Sequence, residues 1–150
     1  MTERPDQWLV AVAALKLGTR VIDEIQVAVK ASGFRDVTPL HGFAFARIAA
    51  GDVTTAGLAE HLGISKQAAA QLTERLVRAG YVSRRAHPRD QRARLLDLTA
   101  RGQACTRTAR AAAENAVAHW STELAPHDVR HFESILLTLT ASIPALRPPS

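Results

Sequence analysis

A chain of 150 residues, 47% of them hydrophobic, can close a core as one domain with or without an added association element. Its longest apolar run, Trp8 to Leu15, is too short to cross a bilayer; no signal-peptide pattern opens it, and the single cysteine, Cys105, excludes an intrachain disulfide and a Cys-rich zinc site, so a cytoplasmic protein with no membrane partner is expected. The net charge of +5 is uneven: His61 to Arg110 carries eleven Lys and Arg against three acids, while the remainder is net negative, which reads as a focused surface for a polyanion.

In chain order the first predicted element is a helix from about Trp8 to Ala31. Trp8, Val12, Leu15, Ile22, Ile25 and Val29 recur at helical steps, and Leu17, Val21 and Ala28 add a second apolar face. A helix apolar on two sides must be covered on two sides. Ser32-Gly33 closes it. Thr38-Pro39 then opens a second helix with the stripe Leu40, Phe43, Ala44 and Ile48, ended by Gly51. A third helix starts behind Thr54 or Thr55, and a fourth runs from behind Ser65 to Gly80. The next two segments, YVSRRA and ARLLDLT, are β-compatible and flank HPRDQR, where Pro88 bars a helix, so a β-hairpin with a basic tip is expected. A fifth helix follows Thr99, from about Ala100 to Leu124. Pro126 starts a sixth with the stripe Phe132, Ile135, Leu136, Leu139 and Ile143, ended by Pro144. The end segments MTERPDQ and RPPS read as short frayed tails.

The break at HLGISKQ is the informative one. Gly63 relieves the backbone at a tight bend, Ala59 is small enough to let two helices approach, and Leu58, Leu62, Ile64 and Leu72 supply a shared core. Ser65 caps the helix that follows. That is a helix-turn-helix, whose second helix lies in the DNA major groove. Lys66, Gln67 and Gln71 share one face, with Arg75 and Arg78 continuing outward; Gln can pair with adenine and Lys with guanine or phosphate. Ala68, Ala69 and Ala70 are small, allowing close approach. The hairpin carries Arg84, Arg85, Arg89, Arg92 and Arg94, opposed only by Asp90, which is expected to hold one of them by an exposed ion pair. So basic a ribbon beside a recognition helix makes a winged helix-turn-helix, its tip suited to a narrow minor groove.

Residues 58–102, LAEHLGISKQAAAQLTERLVRAGYVSRRAHPRDQRARLLDLTARG, resemble the MarR family of bacterial transcription regulators. The LG-IS turn, RAGYVSR, the wing DQRARLLDLT and the closing LTARG follow one another at the family's spacing. The resemblance implies a mainly α fold with a small β-hairpin wing, six helices and an obligate homodimer in which helices one, five and six interleave. Residues 1–37 and 100–150 would then form the dimerisation region and 38–99 the DNA-binding lobe of one intertwined domain. It also implies that Ser65, Gln67, Ala68 and Gln71 face bases or phosphates, and that Asp90, Arg92 and Arg94 match the wing's acid–arginine pattern. The alanine run at 68–70 departs from relatives that often carry Ser, Thr or Val, which shifts weight to shape readout. The partner is double-stranded DNA at a pseudo-palindromic operator, and the expected role is that of a repressor.

Family members often respond to phenolic or aromatic acids bound between the dimer helices and the DNA-binding lobe. Trp8, His41, Phe45 and Arg47 are the residues here that would line such a site, Arg47 serving as the cation. Cys105 lies near Arg101 and Arg107, which would lower its pKa, but a buried and inert thiol is the stronger expectation. His127 and His131 have i, i+4 metal spacing without a third ligand nearby, so neither metal nor cofactor is expected. No two glycines have G-x-G spacing, and neither a nucleophile elbow nor HExxH occurs, so the chain is not read as an enzyme. The competing readings are a non-specific architectural DNA binder and a metal- or redox-sensing variant of the same fold.

Overall fold

The computed structural model describes residues 6–143, and its helix boundaries follow from caps written into the sequence. α1 spans Gln7–Ala31, opened by Asp6, whose side chain accepts the Trp8 N–H at 3.0 Å. Asp6 and Gln7 therefore belong to the helix start rather than to a tail. Residues 1–5, the RPPS tail and the Pro144 stop lie outside the described residues. α1 ends at Ser32, and Gly33 takes the left-handed backbone at φ +94°.

α2 spans Pro39–Ala49. Thr38 accepts the His41 N–H, and His41 Nδ1 accepts the Thr38 N–H at 3.3 Å, so the two residues cap one another. The inward stripe differs from expectation. Ala44, Phe45 and Ile48 are buried, whereas Leu40 and Phe43 are half-exposed. Phe45 belongs to the core because α2 meets β3 and α5 as well as its helical neighbour α3, which broadens the face it buries.

Beyond Gly51 the chain forms β1, Val53–Thr54, and then α3, Thr55–Leu62, with Thr54 accepting the Gly57 N–H. Gly63 adopts φ +66°. α4 spans Lys66–Arg78, and the Ser65 hydroxyl accepts the Ala68 N–H at 3.1 Å. β2, Val82–Ala86, and β3, Arg94–Leu98, form the expected hairpin, but the sheet has three strands in the order β1-β3-β2, all antiparallel, with Val53 opposite Leu96 and Arg84 opposite Leu96 on the other side. Two residues of β1 satisfy the edge of β3 that a free hairpin would leave unpaired.

α5, Ala100–Glu123, starts behind Thr99, which accepts the Gly102 N–H at 3.2 Å and donates to the Gly80 carbonyl at 2.6 Å. A Cβ on Gly102 would collide with the Tyr81 carbonyl oxygen, so glycine is required where α5 passes under the wing. α6 spans Pro126–Thr140.

The core joins Val29, Phe45, Leu58, Leu62, Leu72, Leu76, Tyr81 and Leu96, drawn from α1, α2, the helix-turn-helix and the wing base. Each fully buried leucine contributes about 1.5–3 kcal/mol relative to exposure. α1 and α5 pack along each other, while α6 is held to α5 lightly, with the Trp120 and Phe132 rings 5.3 Å apart. Only Val29 of α1 is buried, and no residue of α6 is. Trp8 and Leu15 on α1, and Leu137 and Leu139 on α6, are each about 70% exposed. The two-faced α1 and the striped α6 thus leave their apolar surface uncovered within one chain.

Candidate nucleic-acid interface

The interface is built from the bend upward. Gly63 donates to Glu60, and Ile64 N–H closes back on the Ala59 carbonyl at 3.1 Å, so the chain leaves α3 through a left-handed cap. Leu58 and Ala59 from α3 and Ala69, Leu72 and Leu76 from α4 are buried and set the angle between the two helices. The opposite side of α4 is solvent-facing: Ser65, Lys66, Gln67, Gln71, Arg75 and Arg78 are exposed, and Ala68 is half-buried. The alanine run is divided by this geometry. Ala69 faces the core and cannot meet a partner, because the helical period turns one residue in three or four inward. Thr73 is buried beside it, its hydroxyl without a hydrogen-bond partner among the described residues.

The wing stands beside this face. Arg84 Nη2 on β2 lies 2.6 Å from Glu74 Oε1 on α4, which joins the wing to the outer face of the recognition helix. The pair is exposed and contributes about 0–1 kcal/mol, so its effect is orientation. Arg85 is held by two acids, Asp52 at 3.0 Å and Asp97 at 2.7 Å. Asp52 reaches it from a turn in which Gly51 and Asp52 both take positive φ, a conformation aspartate tolerates. The wing arginines are therefore not opposed only by Asp90.

Asp90 itself plays another part than the one expected. Its Oδ1 accepts the backbone N–H of Arg92 at 2.9 Å, its carbonyl accepts the Ala93 N–H at 3.1 Å, and among the described residues it makes no ion pair. A short carboxylate reaches the amide two residues on more readily than a guanidinium, so Asp90 shapes the tip as an Asx turn. Arg94 Nη1 donates to the Gln91 and Ala93 carbonyls, which fixes the other side of the tip. Arg89 and Arg92 at the tip, and Arg75, Arg78 and Lys66 on α4, make no ion pair among the described residues. Five cations thus stay uncompensated along the helix face and the tip.

Behind the interface lies a cavity of about 270 Å³ between α1, α2 and α5, lined by residues including Ile22, Val29, Val37, Phe45, Cys105 and Ala109. Of the four ligand-contacting residues expected, Phe45 lines it and three do not. Trp8 is exposed near the start of α1. His41 is engaged with Thr38, and burial, then the Arg75 charge, hold its pKa below the ordinary imidazole range. Arg47 donates to the Gly51 carbonyl at 2.9 Å and finishes its own helix. Sequence reasoning missed Cys105 as a wall residue. Burial pushes its thiol up to about 11, so Arg101 does not activate it. His127 Nε2 lies 3.0 Å from Asp128, and no group of three or more metal-ligating side chains occurs among the described residues. No helix there is long and apolar enough to cross a membrane.

Residues 35–93 match the model of the MarR family, which covers the end of the α1–α2 loop through the wing tip. No curated protein matched the sequence. Among solved structures, Rv1404 from Mycobacterium tuberculosis superposes with a TM-score of 0.81 at 20% identity, covering 96% of this chain and 99% of that one. Streptococcus pneumoniae FabT, solved in complex with DNA, gives 0.77 at 20% identity over 91% and 96%. The Mycobacterium tuberculosis MarR family protein Rv2887, solved with salicylic acid, gives 0.61 at 26% identity over 92% and 98%. Among the described residues, the six helices and three-stranded sheet make the winged helix fold of these structures.

Proposed function

We propose, from the premise that residues 35–93 make this chain a MarR-family winged helix-turn-helix protein, that it is a homodimeric, sequence-specific regulator of transcription on double-stranded DNA. The observation that carries this reading is the Glu74–Arg84 pair, which sets a capped, outward-facing α4 beside a cationic wing tip. α4 enters the major groove, with Gln67 and Gln71 at base edges and Ser65, Lys66, Ala68 and Arg75 toward bases or backbone. Arg89 and Arg92 follow the adjacent minor groove, Asp90 and Arg94 hold the tip in shape for them, and Arg84 keeps the wing against α4.

The uncovered apolar faces of α1 and α6 support dimerisation, because patches of this kind are rare on monomers. Residues 1–37 and 100–150 form the association region and 38–99 the DNA-binding lobe. Two recognition helices about 34–36 Å apart then read a pseudo-palindrome one duplex turn in spacing. A protein acting on DNA in this way resides in the cytoplasm. It acts as a repressor whose affinity falls when a small aromatic molecule enters the cavity behind α2. The Phe45 ring, a wall of that cavity, packs 5.4 Å from the ring of Tyr81, which leads into the wing, so displacement at one end reaches the other. FabT with DNA and Rv2887 with salicylic acid are fold relatives that lend weight to both partners.

Footprinting on the DNA upstream of the protein's own gene tests the reading. A discrete two-fold protected site, bound by a species of twice the protomer mass, is expected. Uniform coverage would instead mark an architectural binder.

A further inference from the structure

Three acids face two arginines at the base of the wing. Glu74 Oε1 lies 2.6 Å from Arg84 Nη2, and Asp52 and Asp97 hold Arg85 at 3.0 and 2.7 Å. The tip and the helix face differ: Arg89, Arg92, Lys66, Arg75 and Arg78 make no ion pair among the described residues. Cationic charge is thus withdrawn at the wing base and left free at the tip and along α4. Two of the acids come from outside the hairpin, and each stands where an acid is unfavourable. Glu74 follows Gln71 by three residues on α4, so it shares the exposed face that carries Gln67 and Gln71, where an unpaired carboxylate would repel a polyanion. Asp52 takes φ +45°, left-handed backbone that favours glycine, directly after Gly51 at φ +89°, and its side chain is 88% exposed. So exposed a side chain adds nothing to the core. The strands do not depend on these pairs either. Tyr81, Val82, Leu95 and Leu96 are buried at the wing base, so the exposed pairs decide where the two guanidinium groups point rather than where the strands lie.

We propose that Glu74 and Asp52 are specificity-determining residues: by holding Arg84 and Arg85 off the phosphate backbone, they keep the attraction to DNA of any sequence low, and the base contacts of α4 then decide where the protein stays. This rests on the reading of α4 and the wing as the DNA-contacting face and names the residues that restrain that face. Phosphate contacts carry no sequence information, and a protein bound off its site is held by them alone. A complex on random DNA is free to tilt and slide, so a released arginine finds a phosphate there. On the operator, base contacts fix the docking, and an arginine at the wing base gains less. The acids therefore subtract more from random binding than from operator binding, which widens the ratio between the two. A purely structural brace gives the opposite sign, because its removal loosens the wing and weakens binding to every duplex.

Fluorescence anisotropy titrations of the operator identified by footprinting and of a random duplex, each across a salt series, test the proposal. Glu74→Gln should bind the random duplex about fivefold more tightly near about 0.1 M salt and steepen its slope of log affinity against log salt by about 0.9, one added phosphate contact. Its affinity for the operator should rise less than about twofold. Adding Arg84→Ala to Glu74→Gln should return the random duplex to the wild-type affinity and slope, because the released cation is then gone. Asp52→Gly, which suits the backbone at that position, should keep its melting temperature and raise random-duplex affinity about twofold, with Asp97 still holding Arg85. Weaker or unchanged random-duplex binding in Glu74→Gln, equal gains on the two duplexes, or a gain that survives Arg84→Ala would each overturn the inference and leave the DNA-binding reading standing. Should Glu74→Gln not fold, Asp52→Gly decides alone, and no gain on the random duplex overturns the inference. A wild-type protein that binds no duplex would take down the inference and the reading together.

Discussion

The Tyr81 hydroxyl donates to Asp36 Oδ1 at 2.7 Å, tying the residue that opens the wing to the loop between α1 and α2. Arg101 of α5 donates to the same hydroxyl at 3.1 Å, so three separate elements meet at one phenol. The tie has a pH signature. The Tyr81 hydrogen bond, helped by the Arg101 charge and opposed by partial burial, holds the Asp36 pKa below the ordinary carboxylate range. A group with a depressed folded pKa contributes stability above its unfolded pKa of about 4 and loses it as pH falls through the lower folded value. Tyr81→Phe should therefore cost about 1 kcal/mol at neutral pH and flatten the acid limb of stability against pH. Urea unfolding across an acid pH series measures both; an unchanged acid limb would remove the role given to Asp36.

Gln67 and Gln71 are exposed and make no contact that holds the fold, so their replacement isolates recognition. Gln67→Ala or Gln71→Ala should weaken operator binding by roughly 1–3 kcal/mol with thermal stability unchanged. Binding to a random duplex should hardly change. Titrations on both duplexes decide the matter, and equal losses on the two would assign these residues to the backbone instead.

The wing arginines divide by partner. Arg92 is free to neutralise a phosphate, whereas Arg85 is already held by Asp52 and Asp97. Arg92→Ala should lower the slope of log affinity against log salt by about 0.9, the value for one phosphate contact. Arg85→Ala should leave that slope alone. A salt series for each variant separates them, and a matching drop in both slopes would refute the division.

What could be foreseen here was local, and what could not was through-space. Thr38, Thr54, Ser65 and Thr99 each cap a helix within three residues, so their roles are visible in a short window of sequence. Gly63 is likewise legible, because only its own backbone demands the left-handed turn. β1 is two residues long and gives no periodicity to detect, and its strand character comes wholly from β3. Glu74 and Asp52 reach the wing from two other places in the chain, and Asp97 meets Arg85 across the hairpin itself, so the neutralisation of Arg84 and Arg85 depended on pairings that no short window of sequence displays. The cavity walls failed for the same reason. A stripe on α1 identifies an apolar face but does not say which part meets α2 and α5. His41 and Arg47 looked available to a ligand because their capping partners are backbone groups, which every sequence contains.

The exposed stripe on α6 yields the last expectation. Ile135 and Leu139 lie one helical turn apart, and with Leu137 they are exposed in the single chain, where α6 touches little except α5. Water around such a row is released when a second copy covers it, at roughly 25 cal/mol per Å². Placing a charge there would require burying it unpaired in the covered state, a cost of several kcal/mol, while the isolated protomer would bear little of it. Leu139→Glu should therefore shift the molecular mass in sedimentation toward the protomer and abolish two-site operator protection, with the helical content of the wing lobe preserved. A Leu139→Glu protein that remains a dimer would place the association face elsewhere than α6.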